Sequence, residues 1–226
     1  MIIITGASGG IGVEIIPYLA DIDDFIAIYC NTSIPKNKKN IFFKLDITNE
    51  KDIEAFIKKY DKKLKDITLI NMATYSSDGL LVNYKSEDWK KTFDINVNGP
   101  FYFIKNLLPY MIGQKYGRII NLSSFTASEG AIGASAYSAS KSSIIGLTKS
   151  ICKEYGRFNI TSNVIELGYF DNGLTHKLTD QIKIKVLKNI PSGKFGKVDE
   201  IASVIKLIIN SSYINGSVIK INGGLS

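Results

Sequence analysis

The chain has 226 residues, 45% of them hydrophobic, which suits one domain spanning 1–226 with a sizeable core. The net charge is +7, but the lysines are scattered and the only arginines are Arg118 and Arg157, which does not mark a nucleic-acid surface. No apolar run reaches the roughly 18–20 residues of a membrane span, Met1-Ile2-Ile3-Ile4-Thr5-Gly6 has no secretion-signal pattern, and Cys30 and Cys152 form neither a disulfide framework nor a metal site. These points favour a cytoplasmic setting, with neither membrane nor nucleic acid as partner.

Apolar, β-branched runs predict strands at 2–5, 25–30, 41–44, 67–71, 118–122, 161–165 and 217–221. Helical periodicity falls between most of them, at 10–20, 50–63, 86–113, 135–158 and 198–210. Near-continuous apolar strands separated by helices predict an α/β fold: a doubly wound parallel sheet of about seven strands, helices on both faces. Two segments break the rhythm. The Lys-, Asn- and Pro-rich stretch between Cys30 and Ile41 is too short for a crossover helix and reads as a loop. Residues 168–196 contain an amphipathic stretch, 174–190, that could act as a lid. Within it, Tyr169, Phe170, Leu174 and Leu178 either line an apolar substrate pocket or pack as core or subunit contacts. His176 reads as a surface or packing residue, and Trp89 as structural.

After the first strand, Thr5-Gly6-Ala7-Ser8-Gly9-Gly10-Ile11-Gly12 opens the first helix. Glycines let a backbone turn approach a pyrophosphate, which then sits on the helix N-terminus, so Gly6, Ser8, Gly10, Ile11 and Gly12 are candidate dinucleotide contacts. There is no Gly-Lys-Ser/Thr, which argues against a nucleoside-triphosphate loop. Further on, Tyr137 and Lys141 are four apart on a predicted helix and share a face. A phenol with an ordinary pKa of about 10 is a poor acid or base near neutrality, and an ammonium beside it lowers that value. Ser124, thirteen residues upstream of Tyr137, could hold a carbonyl oxygen next to the pair.

These motifs, in this order, resemble the short-chain dehydrogenase/reductase family over nearly the whole chain. Asp46 and Ile47, in Leu45-Asp46-Ile47-Thr48, match the adenine-side motif. Asn71-Met72-Ala73-Thr74 stands in place of Asn-Asn-Ala-Gly, which brings Asn71 and Ala73 to the cofactor, and Asn96 matches the catalytic asparagine. Leu167-Gly168 replaces Pro-Gly, with Gly168 over the nicotinamide, and Gly223-Gly224 matches the terminal strand. The resemblance implies a Rossmann-type domain and hydride transfer between a nicotinamide cofactor and a carbonyl or alcohol substrate. Tyr137 would move the proton. Lys141 would hold the nicotinamide ribose and lower the pKa of Tyr137, Ser124 would bind the substrate oxygen, and Asn96 would anchor a water leading to Lys141. It also implies a homodimer or homotetramer and no metal.

At the end of the second strand stands Cys30 rather than an acid, followed by Asn31, Thr32, Ser33 and Lys36. Neutral donors and positive charge suit a 2′-phosphate, so NADP(H) is favoured over NAD(H), although position 9 is Gly where NADP-preferring relatives often carry a base. Motif spacing is most similar to 3-oxoacyl-[acyl-carrier-protein] reductases, which implies a substrate that is free or carrier-linked. Lys115 falls at one carrier-docking position, while Phe158, next to Arg157, replaces the other. The alternatives are a sugar, polyol or nucleotide-sugar dehydrogenase, and a non-catalytic NADP(H)-sensing regulator.

Overall fold

The computed structural model describes residues 1–19, 22, 24–31, 41–172, 175 and 178–225. In chain order the elements are β1 (Ile2–Thr5), α1 (Gly10–Leu19), β2 (Phe25–Tyr29), β3 (Ile41–Lys44), α2 (Glu50–Tyr60), β4 (Thr68–Asn71), α3 (Ser86–Phe93), α4 (Gly99–Gln114), β5 (Gly117–Ser124), α5 (Thr126–Glu129), α6 (Ser135–Tyr155), β6 (Ile160–Leu167), α7 (Asp180–Asn189), α8 (Val198–Asn210) and β7 (Val218–Ile221). The strands form one seven-stranded sheet in the order β3-β2-β1-β4-β5-β6-β7. Every pairing is parallel. The α/β reading therefore holds.

Side chains alternate across each strand, so one run feeds two cores. Ile4, Ile70, Ile120 and Ile165 face α1 and α8, packing with Ile15, Leu19, Ile201 and Ile205. Ile3, Ile26, Leu69 and Ile119 face the other way, onto Ile53 and Phe56 of α2, Phe103 and Met111 of α4 and Ile151 of α6. The chain order reverses between β1 and β4. In a doubly wound sheet that switch point opens a crevice at the carboxyl ends of the strands.

The structure departs from the sequence reading at several element ends. The 86–113 helix is interrupted by a π turn, Asp94–Asn98, in which the Gly99 N–H reaches the Asp94 carbonyl. Pro100 explains this, because it has no N–H to continue an α-helical ladder. The 50–63 and 135–158 helices close in tight 3₁₀ turns at Asp61–Lys63 and Gly156–Phe158. β5 and β6 run longer than 118–122 and 161–165, pairing over Gly117–Ser124 and Ile160–Leu167. Of the amphipathic stretch, α7 covers only Asp180–Asn189. It is capped by the Thr179 side chain accepting the Ile182 N–H, and none of its side chains is buried. Phe170 lies in the core rather than in an open pocket, and Trp89 stacks on Phe93 at the surface. Thr32, Ser33, Lys36, Leu174 and His176 lie outside the described residues, as does most of the predicted loop after Cys30. No helix among the described residues is long and apolar enough to cross a membrane.

Candidate active site

Because β5 extends to residue 124, Ser124 is the last residue of a central strand and is buried at the crevice. The Thr126 N–H and hydroxyl both donate to its Oγ, at 3.3 and 3.1 Å. With its acceptor side filled from within the turn, the Ser124 proton is left to point outward. Helix α6 packs alongside β5, fastened to it by Asn121 Nδ2 donating to Thr148 Oγ1 at 3.0 Å and by two bonds at Lys141. Ser123 Oγ donates to the Lys141 carbonyl at 3.1 Å. Lys141 Nζ donates to the Leu122 carbonyl at 2.9 Å.

Lys141 is 4% exposed and its ammonium lies 5.7 Å from the Tyr137 ring centre. Burial pulls its pKa down from 10.5 to about 8. Tyr137 keeps part of its ring at the surface, but its hydroxyl is enclosed and burial pushes its pKa up. The nearby Thr74 and Ser124 hydroxyls act the other way. The sequence assigned the lowering to Lys141. In the structure the ammonium donates to the Leu122 carbonyl while staying 5.7 Å from the Tyr137 ring centre.

Asn96 sits in the π turn and is 1% exposed. Its Oδ1 accepts from the Tyr75 N–H at 2.8 Å and the Thr74 hydroxyl at 3.3 Å. Its Nδ2 donates to the Tyr75 carbonyl and to Ser140 Oγ, both at 2.9 Å. Ser140 Oγ donates in turn to the Tyr137 carbonyl at 2.7 Å. The Asn96 side chain is thus fully used in structure. Its main-chain carbonyl, which Pro100 cannot serve as an α-helical donor, is the group suited to a water.

The structure thus gathers Asn96, Ser124, Tyr137 and Lys141 on one side of the crevice. On the other side is the turn after β1. Gly6 has φ +71°, and a Cβ there would come within 2.5 Å of the Ala73 backbone. Thr5 Oγ1 binds the Met72 and Ala73 N–H groups at 3.2 and 3.3 Å. The turn is therefore pressed against the strand-end that leads to Thr74.

A protein-family model for short chain dehydrogenases matches residues 1–183. The chain belongs to the short chain dehydrogenase family. Among its relatives, the 3-oxoacyl-[acyl-carrier-protein] reductase of Thermotoga maritima is 38% identical over 80% of this chain and 75% of its own. That of Buchnera aphidicola is 35% identical over 99% of this chain and 96% of its own. That of Staphylococcus aureus strain Mu50 is 31% identical over the same shares, 99% and 96%. This dehydrogenase is accordingly a nicotinamide-dependent oxidoreductase of carbonyl and alcohol groups.

The residues of this dehydrogenase fit such a cofactor. Gly9 and Gly10 are exposed and the first turn of α1 carries no acidic residue. Unpaired N–H groups of a helix start, with no carboxylate beside them, suit a pyrophosphate. Asp46 is exposed and folds back onto Thr48, accepting its N–H at 2.9 Å and its hydroxyl at 2.8 Å. Cys30 and Asn31 end β2 without a carboxylate. Three predicted cofactor residues turn out to be structural in their side chains or close contacts. Ile47 is buried against Gly99. Asn71 donates to Asn121 inside the sheet at 2.8 Å. At Gly168, a Cβ would meet the Asn222 Cα at 2.6 Å, which alone requires glycine.

Beside the site is a cavity of about 130 Å³ lined by Tyr169, Lys194, Phe195, Glu200 and Asn222. Tyr169 joins it to the site through its ring contact with Phe125 at 5.1 Å. Thr74, Thr126 and Ser140 were not singled out as site residues from the sequence. Only Ser140 had a local signal, a hydroxyl three residues after Tyr137 on the same helix.

Proposed function

We propose that this chain reduces the keto group of a 3-oxoacyl thioester, using NADPH, in the cytoplasm. The observation that carries the reading is the convergence of the buried Ser124 and Lys141 with Tyr137, whose hydroxyl is enclosed, beside a glycine turn suited to a dinucleotide. The relatives' names favour this substrate over the sugar and sensing alternatives. When bound, the cofactor supplies the hydride for the carbonyl carbon.

The remaining chemistry belongs to the protein. Ser124, its oxygen already satisfied by Thr126, donates its hydrogen to the substrate oxygen. Tyr137 gives that oxygen its proton as charge develops. Lys141 holds the nicotinamide ribose and gives the buried phenolate a positive neighbour. The Asn96 carbonyl holds a water that resupplies the proton. Gly6, Ser8, Gly10, Ile11 and Gly12 form the pyrophosphate turn. Asn31, with Thr32 next to it in sequence, is assigned to the 2′ position, Asp46 and the Ile47 backbone to adenine, and Asn71, Ala73 and Gly168 to the nicotinamide side.

The lack of an acid at Cys30 and Asn31 supports NADPH, because a carboxylate there would repel a 2′-phosphate. Residues 1–226 act as one catalytic domain in a homodimer or homotetramer. Half-exposed Phe101 on α4 and Leu207 on α8 are suited to subunit contacts. Lys115 and Arg157 are candidate contacts for an acidic carrier. The test is a substrate panel read by nicotinamide oxidation with each cofactor. Short 3-oxoacyl thioesters with NADPH should give the highest kcat/KM. A preference for nucleotide sugars would overturn the substrate, and a preference for NADH would overturn the cofactor choice.

A further inference from the structure

Glu166 is a carboxylate set inside the sheet. It lies in β6 and is fully buried. Its neighbours Ile165 and Leu167 pack toward α1 and α8, so its side chain projects from the opposite face, where α5 meets it. We propose that Glu166 is a positioning residue for Ser124, acting through Ser128 and helix α5. The proposal rests on the reading of Ser124 as the group that binds the substrate oxygen.

A buried carboxylate needs hydrogen bonds or an opposite charge to offset its lost hydration. Ser128 Oγ, on α5, donates to Glu166 Oε2 at 2.7 Å. Glu166 Oε1 has no hydrogen-bond partner among the described residues and lies 3.8 Å from the Lys220 ammonium. Lys220 stands opposite Glu166 in β7, and Ser123 stands opposite it in β5. The carboxylate is thus held between two strands, next to the end of β5 that carries Ser124, and its short hydrogen bond ties α5 to the sheet.

Helix α5 is four residues long and starts two residues after Ser124. A single helical turn is marginal alone, so bonds from outside must fix it. The Phe125 N–H donates to the Leu167 carbonyl at 2.8 Å, Ser142 Oγ of α6 donates to the Ala127 carbonyl, and Ser128 is held by Glu166. The first residue of α5, Thr126, donates its N–H and hydroxyl to Ser124 Oγ at 3.3 and 3.1 Å. These two bonds fill the acceptor side of Ser124 and leave its hydrogen for the substrate. They are long, so a small shift of α5 opens them. Removing the Glu166 anchor would leave α5 free to shift, and the Ser124 hydroxyl would turn away from the substrate oxygen.

The test measures kcat, KM and cofactor binding for Glu166→Ala, Glu166→Gln and Ser128→Ala, each with and without Ser124→Ala. The probe is a short 3-oxoacyl thioester with the reduced nicotinamide cofactor. Ser124→Ala should lower kcat by about two orders of magnitude, the lower range for one lost oxyanion donor. Glu166→Ala and Ser128→Ala should each lower kcat about tenfold, because a displaced donor loses part of that effect. Cofactor affinity should not change, and the two substitutions together should be no worse than either alone. Glu166→Gln, whose amide oxygen still accepts from Ser128, should keep most of the turnover. In the Ser124→Ala background the same changes should alter kcat by less than about twofold, because the group they position is gone. Should Glu166→Ala fail to fold, Ser128→Ala carries the same test. Wild-type kcat in folded Ser128→Ala, a further tenfold loss on top of Ser124→Ala, or a Gln variant as slow as Ala overturns the proposal and leaves the Ser124 reading standing. Near-normal turnover by Ser124→Ala itself overturns both.

Discussion

The two sides of the crevice are built differently. On the β5–α6 side the reacting groups are held by bonds from several elements: Lys141 by β5, Ser124 by Thr126, and Tyr137 through Ser140 and Asn96. On the side formed by the segment after β6, helix α7 buries no side chain and exposes Ile182 and Ile184. Asn172 Nδ2 reaches the Gly10 carbonyl at 3.0 Å, joining that segment to the dinucleotide turn. Chemistry is assigned to the cross-linked side and substrate choice to the exposed side. A proton donor tolerates little displacement, whereas a lid must open.

The comparison can be broken at its rigid end first. Asn96→Ala removes four side-chain hydrogen bonds. It should cost about 2–4 kcal/mol in urea unfolding at roughly 1 kcal/mol per net bond, and lower turnover as well. A loss below about 0.5 kcal/mol would show that these four bonds hold little.

Lys141 gives a signed pH test. Its folded pKa, about 8, lies below the ordinary 10.5. Between these values the unfolded chain binds more protons, so stability should rise with pH. The gain should be about 2 kcal/mol from about pH 7.5 to about pH 9.5 at 1.36 kcal/mol per unit, and Lys141→Met should abolish it. Above about pH 10 the raised pKa of Tyr137 acts the other way, because the unfolded chain then loses its phenolic proton first. A wild-type profile no steeper than the variant's would mean that Lys141 is hydrated.

The exposed side should respond weakly in stability and strongly in substrate choice. Asn172→Ala should cost about 1 kcal/mol or less, while raising the cofactor KM. Ile182→Ser with Ile184→Ser should change stability by about 0.5 kcal/mol or less, while altering the dependence of KM on acyl length. An acyl-length profile identical to wild type would remove α7 from substrate recognition.

The same division governs what could be read from the sequence. The central strands were legible because their isoleucine runs are buried on both faces. Their carboxyl ends were not, because Ser123, Ser124 and Glu166 are polar yet buried within strands. Those residues lie at the carboxyl ends of β5 and β6, beside the crevice. Tyr137 and Lys141 were legible because one helical turn relates them. The bond from the Lys141 ammonium to Leu122 was not, because that carbonyl belongs to β5. The π turn had one local signal, Pro100. Thr74 had none pointing to Asn96, since their bond depends on how the segment after β4 meets the π turn.

The most direct measurement of the central claim is turnover by Tyr137→Phe on a short 3-oxoacyl thioester, with binding of the nicotinamide cofactor checked by fluorescence. The account predicts intact binding and turnover lower by at least about two orders of magnitude. Bound cofactor with near wild-type turnover would contradict it.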